Sequence, residues 1–228
     1  MAFFIIKNKN MKVFTSSETV RNALVNNYGF RTNLINITKN GIDLNKINQI
    51  KVNHKEYDLV FCGRIIKSKG IYDLIEVIKK VKLTIPKISL IVIGEGPEKL
   101  SFIKEVRRNK LENNIFFLGF LSDREKILKI KQSHFFIFPS HEEGWGIVVG
   151  EALASGVPVV LYKTDTMYEV WNKHCIWVKP FDISDFSKII INNLKNKKIF
   201  TIDKKFIDSL DWDNILKKET FLLKTLEQ

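Results

Sequence analysis

Six short apolar runs, most of them leading into a glycine-bearing or polar loop and then a helix-compatible stretch, constrain this chain more than any other feature. The runs are 57–62, 88–93, 114–118, 134–138, 157–161 and 175–178. Between and after them lie 70–83, 98–109, 122–132, 147–155, 167–171 and 184–194. A strand that is apolar at nearly every position is buried on both faces, and strands of this kind alternating with helices belong to a parallel sheet. The predicted fold class is therefore α/β, a Rossmann-like parallel sheet with helices on both faces. The 70–83 stretch shows the pattern, with Ile71, Leu74, Ile75, Ile78 and Val81 on one side. Ser122 and Glu125 have capping-box spacing at the start of another helix. Ligands of such sheets sit at the carboxyl ends of the strands, so the loops at Gly63, Gly94, Gly119 and Ser140 are expected to converge.

Ahead of this region, 12–16 reads as a strand and Ser17 as the cap of a helix with Val20, Leu24 and Tyr28 at four-residue spacing, stopped by Gly29. A second short strand, 34–37, precedes an Asn40-Gly41 turn. Residues 43–56 are polar and irregular, a predicted connector. The tail, 212–226, reads as a helix with Asp211 as its cap.

The length of 228 residues suffices for one full domain and part of another. No apolar run approaches the roughly 18 residues of a membrane span, and the five-residue run at the start is too short for a signal-peptide core. A cytoplasmic location is expected. Cys62 and Cys175 lie in apolar runs without CxxC spacing and are predicted to be buried free thiols. The net charge is +12, and residues 1–56 hold 9 Lys/Arg against 3 Asp/Glu. That excess suits anionic partners such as nucleotides or an acidic membrane surface, or simply solvates an Ile/Lys/Asn-rich surface. No clustered-arginine helix, zinc spacing or aromatic-basic signature points to nucleic acid.

The stretch 138–160, FPSHEEGWGIVVGEALASGVPVV, reads as strand end, polar loop, helix, glycine stop and strand. Glu143 in the loop and Glu151 in the helix are eight positions apart, about two helical turns, so both are expected to face one cleft beside the helix N-terminus. The loop 63–70 carries Arg64 and Lys69 between two glycines, a basic loop at a helix start and suited to a diphosphate. It lacks the Walker A pattern, and Gly94-Glu95-Gly96 does not complete GxGxxG. Asp211-Trp212-Asp213 matches the DxD of metal-dependent sugar transferases, but its place before a helix favours capping. The four histidines share no metal-ligand spacing. No metal site and no cofactor are predicted.

Together these pieces resemble the donor-binding half of the family 4 glycosyltransferases, which have the GT-B fold. The matching signatures are Asn40-Gly41-Ile42-Asp43, Phe61-Cys62-Gly63-Arg64 through Lys69-Gly70, Ile93-Gly94-Glu95-Gly96-Pro97, Phe117-Leu118-Gly119, and Glu143 to Glu151 as the family's E-x7-E. The resemblance implies a retaining, metal-independent transferase acting on a nucleotide-sugar donor and an unidentified acceptor. It implies that Gly63, Arg64 and Lys69 flank the donor's phosphates and that Glu151 accepts hydrogen bonds from the ribose. Glu143 would contact the transferred sugar, the backbone of Gly144, Gly146, Ile147 and Val148 would approach sugar and phosphate, Gly94 would let backbone near the ligand, and Gly119 would lie by the base. Where the family often has a Gly-Gly pair this chain has 163–167, although Glu169 fits the family's acidic position.

The resemblance also implies three parts: 1–45 as a remnant of the N-terminal acceptor domain, 46–204 as the donor-binding domain, and 205–228 as the C-terminal crossover helix. Helix 212–226 is expected to pack on helix 17–28. The 12–16 strand, having lost its sheet, is expected as an unpaired edge that takes a partner chain or a second copy. The alternative to an enzyme is a non-catalytic nucleotide-sugar-binding subunit of a split transferase.

Overall fold

The computed structural model describes residues 12–196 and 200–226, so the reading of the first 11 residues falls outside it. The chain opens with β1 (Val13–Thr15), α1 (Glu18–Tyr28) and β2 (Ile35–Ile37), followed by α2 (Leu44–Gln49). Then come β3 (Tyr57–Cys62), α3 (Ile71–Lys82), β4 (Leu90–Ile93), α4 (Lys99–Arg108), β5 (Ile115–Gly119) and α5 (Asp123–Lys131). The second half holds β6 (Ser133–Phe138), α6 (Ile147–Ala154), β7 (Val159–Tyr162), α7 (Asp165–Trp171), β8 (Ile176–Val178), α8 (Ile183–Asn196), α9 (Lys204–Asp208) and α10 (Trp212–Leu226).

Strands β3 to β8 form one parallel sheet in the order β5-β4-β3-β6-β7-β8, as the unbroken apolar runs predicted. Leu59, Val60 and Phe61 on β3 and Ile91 and Val92 on β4 are fully buried. The chain builds outward from β3 to β5, then returns to β6 on the other side of β3. Right-handed crossovers therefore put α3 and α4 on one face and α6 and α7 on the other. Cys62 and Cys175 are free thiols, and burial raises the Cys62 pKa to about 12, so it stays an unreactive thiol.

Three expectations change, and one short helix is added. Residues 43–56 are not all irregular: Asp43 caps α2 by accepting from the Lys46 N–H at 2.9 Å, and Leu44 and Ile47 are buried. A six-residue helix with two apolar positions is too short to show a periodicity. A short helix, α9, capped by Asp203, also had no reading in the sequence. The first strand is not unpaired, because β1 lies parallel to β2 with Val13 opposite Ile35, so the segment 13–37 is itself a βαβ unit. Helix α1 packs against α7, where the expectation placed 212–226. The start of α10 is tied instead to the 41–43 segment, through the Ile42 N–H to Leu210 O at 2.8 Å and the Trp212 N–H to Ile42 O at 3.2 Å. Asp211 does cap that helix, accepting from the Asp213 N–H at 3.0 Å.

The α1–α7 contact has a polar centre. Glu169 on α7 accepts the Glu18 N–H at 2.6 Å, the Thr19 N–H at 2.9 Å and the Thr19 hydroxyl at 2.6 Å, all at the first turn of α1. Partial burial works against the charge, but these hydrogen bonds outweigh it and hold the Glu169 pKa below its ordinary value. A depressed carboxylate pKa adds stability above the unfolded-state value, and that stability is lost as pH falls through the lower folded-state value. Glu169→Ala is expected to speed amide exchange at Glu18 and Thr19 at neutral pH. Wild type should show the same loss on acidification below the ordinary carboxylate range, and unchanged exchange in both would disprove the clasp.

Candidate active site

The reversal of strand order between β3 and β6 opens a crevice at the carboxyl end of the sheet, where doubly wound sheets bind their ligands. Four loops meet there and are bonded to one another. The Gly94 N–H donates to Gly119 O at 2.8 Å, the Gly63 N–H to Ile93 O at 3.0 Å, the Ile65 N–H to Glu95 O at 2.9 Å and the His141 N–H to Ser68 O at 2.8 Å. The approach is close enough to require glycine: at Gly94, with φ 132°, a Cβ would lie 2.0 Å from Gly63 O. The expected convergence of these loops is thus a physical contact.

Across the crevice, Lys69 Nζ lies 2.6 Å from Glu143 Oε2 and 3.1 Å from Glu142 O. Arg64, from the same basic loop, is exposed and has no ion pair among the described residues. Gly144 follows Glu143 and donates its N–H to Glu143 Oε1 at 3.2 Å. Helix α6 then starts from Gly146, left-handed at φ 75° and without a side chain to cap it. The N–H groups of Ile147 and Val148 belong to the first helical turn, whose donors have no intrahelical acceptor. They give the crevice a local positive potential.

Glu151, one turn further along α6, has a cation of its own. Lys126 Nζ on α5 lies 2.8 Å from Glu151 Oε1 and 3.1 Å from Asp123, and the Lys126 and Glu151 side chains are only 15% and 16% exposed. Burial raises the Glu151 pKa even though Lys126 opposes the shift. Burial acts the other way on Lys126, but its hydrogen bonds to Glu151 and Asp123 prevail, so its pKa is raised and the lysine stays charged. Glu151 Oε2 is buried with no hydrogen-bond partner among the described residues. Glu151 lines a cavity of about 540 Å³ with Ile147, Asp123, Arg124, Ile42 and Trp212, in the size range of ligand pockets. A second cavity, of about 610 Å³, lies at the opposite end of the strands beside Asp58, His134 and Pro158.

The two carboxylates thus have separate roles in the structure, each engaged by a different lysine. Lys126 had no reading in the sequence, because one lysine inside an amphipathic helix carries no mark until α5 and α6 are packed side by side. Asp73 and Tyr162, which meet His141 of the 140–146 loop, were likewise unmarked. Gly119 is left-handed at φ 70° and begins the turn to Phe120, whose ring is exposed.

The family model described as "Glycosyl transferases group 1" matches residues 43–207. The O-antigen biosynthesis glycosyltransferase WclY of Escherichia coli is 32% identical over 164 residues, covering 68% of this chain and 44% of its own length. The O-antigen chain mannosyltransferase RfbU of Salmonella typhimurium is 25% identical over 204 residues, covering 89% of this chain and 56% of its own. This chain therefore spans about half the length of these relatives. Among solved structures, Anabaena HepE in complex with UDP and glucose superposes with a TM-score of 0.80 at 22% identity, over 95% of this chain and 63% of that one. S. aureus TarM superposes with a TM-score of 0.74 at 24% identity, over 99% of this chain and 45% of its own. At these identities the likeness speaks for the fold.

Proposed function

Because the chain belongs to the group 1 glycosyl transferases, we propose that it is the donor-binding half of a family 4 enzyme of GT-B fold, transferring a sugar from a nucleotide sugar to an acceptor hydroxyl with retention and without a metal. The observation that carries this is Glu151: a buried carboxylate oxygen with no donor among the described residues, beside a cavity and one turn into an uncapped helix, matches a ligand with vicinal hydroxyls next to a diphosphate. Glu151 accepts from the ribose. Arg64, Lys69 and the Ile147 and Val148 N–H groups hold the phosphates, assisted by the close glycine backbone at 63, 94 and 146. Lys69 turns from Glu143 towards the diphosphate as the donor enters, which frees Glu143 for the transferred sugar. The bond from the sugar's anomeric carbon to the phosphate oxygen breaks with its electron pair leaving on the diphosphate, and the fixed cations and N–H groups stabilise that charge. The acceptor hydroxyl bonds to the same carbon and passes its proton to the departing phosphate.

The second reading, a nucleotide-sugar-binding subunit that needs a partner chain, is favoured by the exposed Leu216, Phe221 and Leu223 on α10. In both readings residues 12–37 are what the described chain holds of the acceptor half, and the basic excess suits a place at an anionic membrane surface.

Calorimetry with a panel of nucleotide sugars led by UDP-glucose tests both readings, and absence of saturable binding at millimolar donor overturns them. Donor hydrolysis, or transfer to an added acceptor, then separates enzyme from subunit. Lys69→Ala is expected to weaken donor binding about 10- to 100-fold, the worth of a charged hydrogen bond. Glu143→Gln is expected to lower turnover far more than donor affinity. Wild-type behaviour in both variants would remove these assignments.

A further inference from the structure

The loop that carries Glu143 is held at its other end by a cluster outside the donor pocket. His141 Nε2 lies 2.9 Å from Asp73 Oδ2, in the first turn of α3, and the Tyr162 hydroxyl at the end of β7 donates to the same oxygen at 2.8 Å. One carboxylate oxygen therefore joins α3, β7 and the 140–146 loop. Burial, and then the hydrogen bond to Asp73, push the Tyr162 pKa far above its ordinary value, so the hydroxyl remains a donor. The Phe181 ring lies over His141 with centroids 4.6 Å apart, and Phe181 is held at φ 66° and is 65% exposed. A left-handed backbone is strained for a bulky residue, and glycine would adopt it without that strain. Strain of this kind persists only where the surroundings over-determine it, and it clusters at ligand clamps and switch regions.

We propose that Asp73 and His141 are positioning residues, clamping the 140–146 loop onto α3 and β7 so that Glu143 meets the sugar in one place, with Phe181 as the cover that keeps water from the clamp. At its far end the loop is held by the buried Trp145, whose carbonyl accepts from the Trp171 indole N–H at 2.8 Å; nearer Glu143, the Ser140 hydroxyl bonds to Glu142 O and the other ties go to Ser68 and Lys69 of the basic loop. The Lys69 tie is given up when Lys69 turns to a phosphate, whereas the tie to Asp73 is not. The role of Glu143 in the clamp's purpose rests on the donor-site reading above; the clamp itself does not.

Amide exchange on the full chain tests the clamp without ligand. The His141 N–H, bonded to Ser68 O, is the reporter. Its exchange is expected to quicken about tenfold in His141→Ala and Tyr162→Phe, and to return to within about threefold of wild type in His141→Gln, which keeps a donor for Asp73. Phe181→Gly is expected to raise the melting temperature while quickening exchange at the same amide. Unchanged exchange, or acceleration spread evenly over the sheet, overturns the clamp. Calorimetry with UDP-glucose and UDP tests its purpose: His141→Ala should reduce the affinity ratio of sugar nucleotide to nucleotide, and His141→Gln should restore it. An equal loss for both ligands reduces the role to plain stability. If wild type binds neither, the donor reading fails while the exchange result still decides the clamp.

Discussion

Glu151→Ala is expected to lower stability by about 2–3 kcal/mol and to abolish detectable nucleotide-sugar binding. The stability loss comes from what remains. Lys126, buried to 15% exposure, keeps only the solvent-facing Asp123 as its partner among the described residues, and an uncompensated buried charge costs about 3–5 kcal/mol when no other partner helps. For a chain of this size a loss of 1 kcal/mol lowers the melting temperature by about 2–4 °C, which calorimetry resolves. The binding loss has a different origin: no other carboxylate lines the cavity from α6. The double variant Glu151→Ala/Lys126→Met separates the two, since removing both charges should recover most of the stability and none of the binding. Recovery of binding would show that Glu151 serves the fold alone.

Gly70→Ala carries the other large effect. Gly70 ends the basic loop, opens α3 and sits at φ 71°, and a Cβ there would lie 1.9 Å from Pro139 O and 2.7 Å from Pro139 C. Neither obstacle is the tip of a flexible side chain. The left-handed conformation costs an alanine about 1–2 kcal/mol, and forcing the two loops apart adds about 1–3 kcal/mol. Gly29→Ala is the internal control: its φ is 70° and nothing lies within 4 Å of its Cβ position. It should show the backbone cost alone. The difference between the variants measures the contact between the 63–70 and 139–146 loops, and Gly70→Ala should lose donor affinity where Gly29→Ala does not. Equal effects in the two variants would mean that the loops do not meet as described.

Much of this is legible in the amino-acid order. The six apolar runs became the six strands of the large sheet because a buried strand must be apolar wherever it stands in the order. Ser17, Gly29, Ser122 and Asp211 acted at helix ends as their side chains, or lack of one, require. Loops at carboxyl ends converge in any doubly wound sheet, so Gly63, Gly94, Gly119 and Ser140 could be grouped from their positions alone. Helix α2 escaped because six residues are too few for a periodicity, and the β1–β2 pairing because two three-residue strands leave almost no pattern.

Local chemistry in this chain, the caps, the turns and the burial of each strand, depends on neighbours within a few positions, so the amino-acid order alone determined it. Partners depend on which elements the fold lays side by side. That Glu143 meets Lys69, that Glu151 meets Lys126, and that Glu169 caps α1 from 150 residues away follow from the order β5-β4-β3-β6-β7-β8 and the sides its crossovers take. Long-range electrostatic pairing is a property of packed distances, and only the tertiary structure decides those.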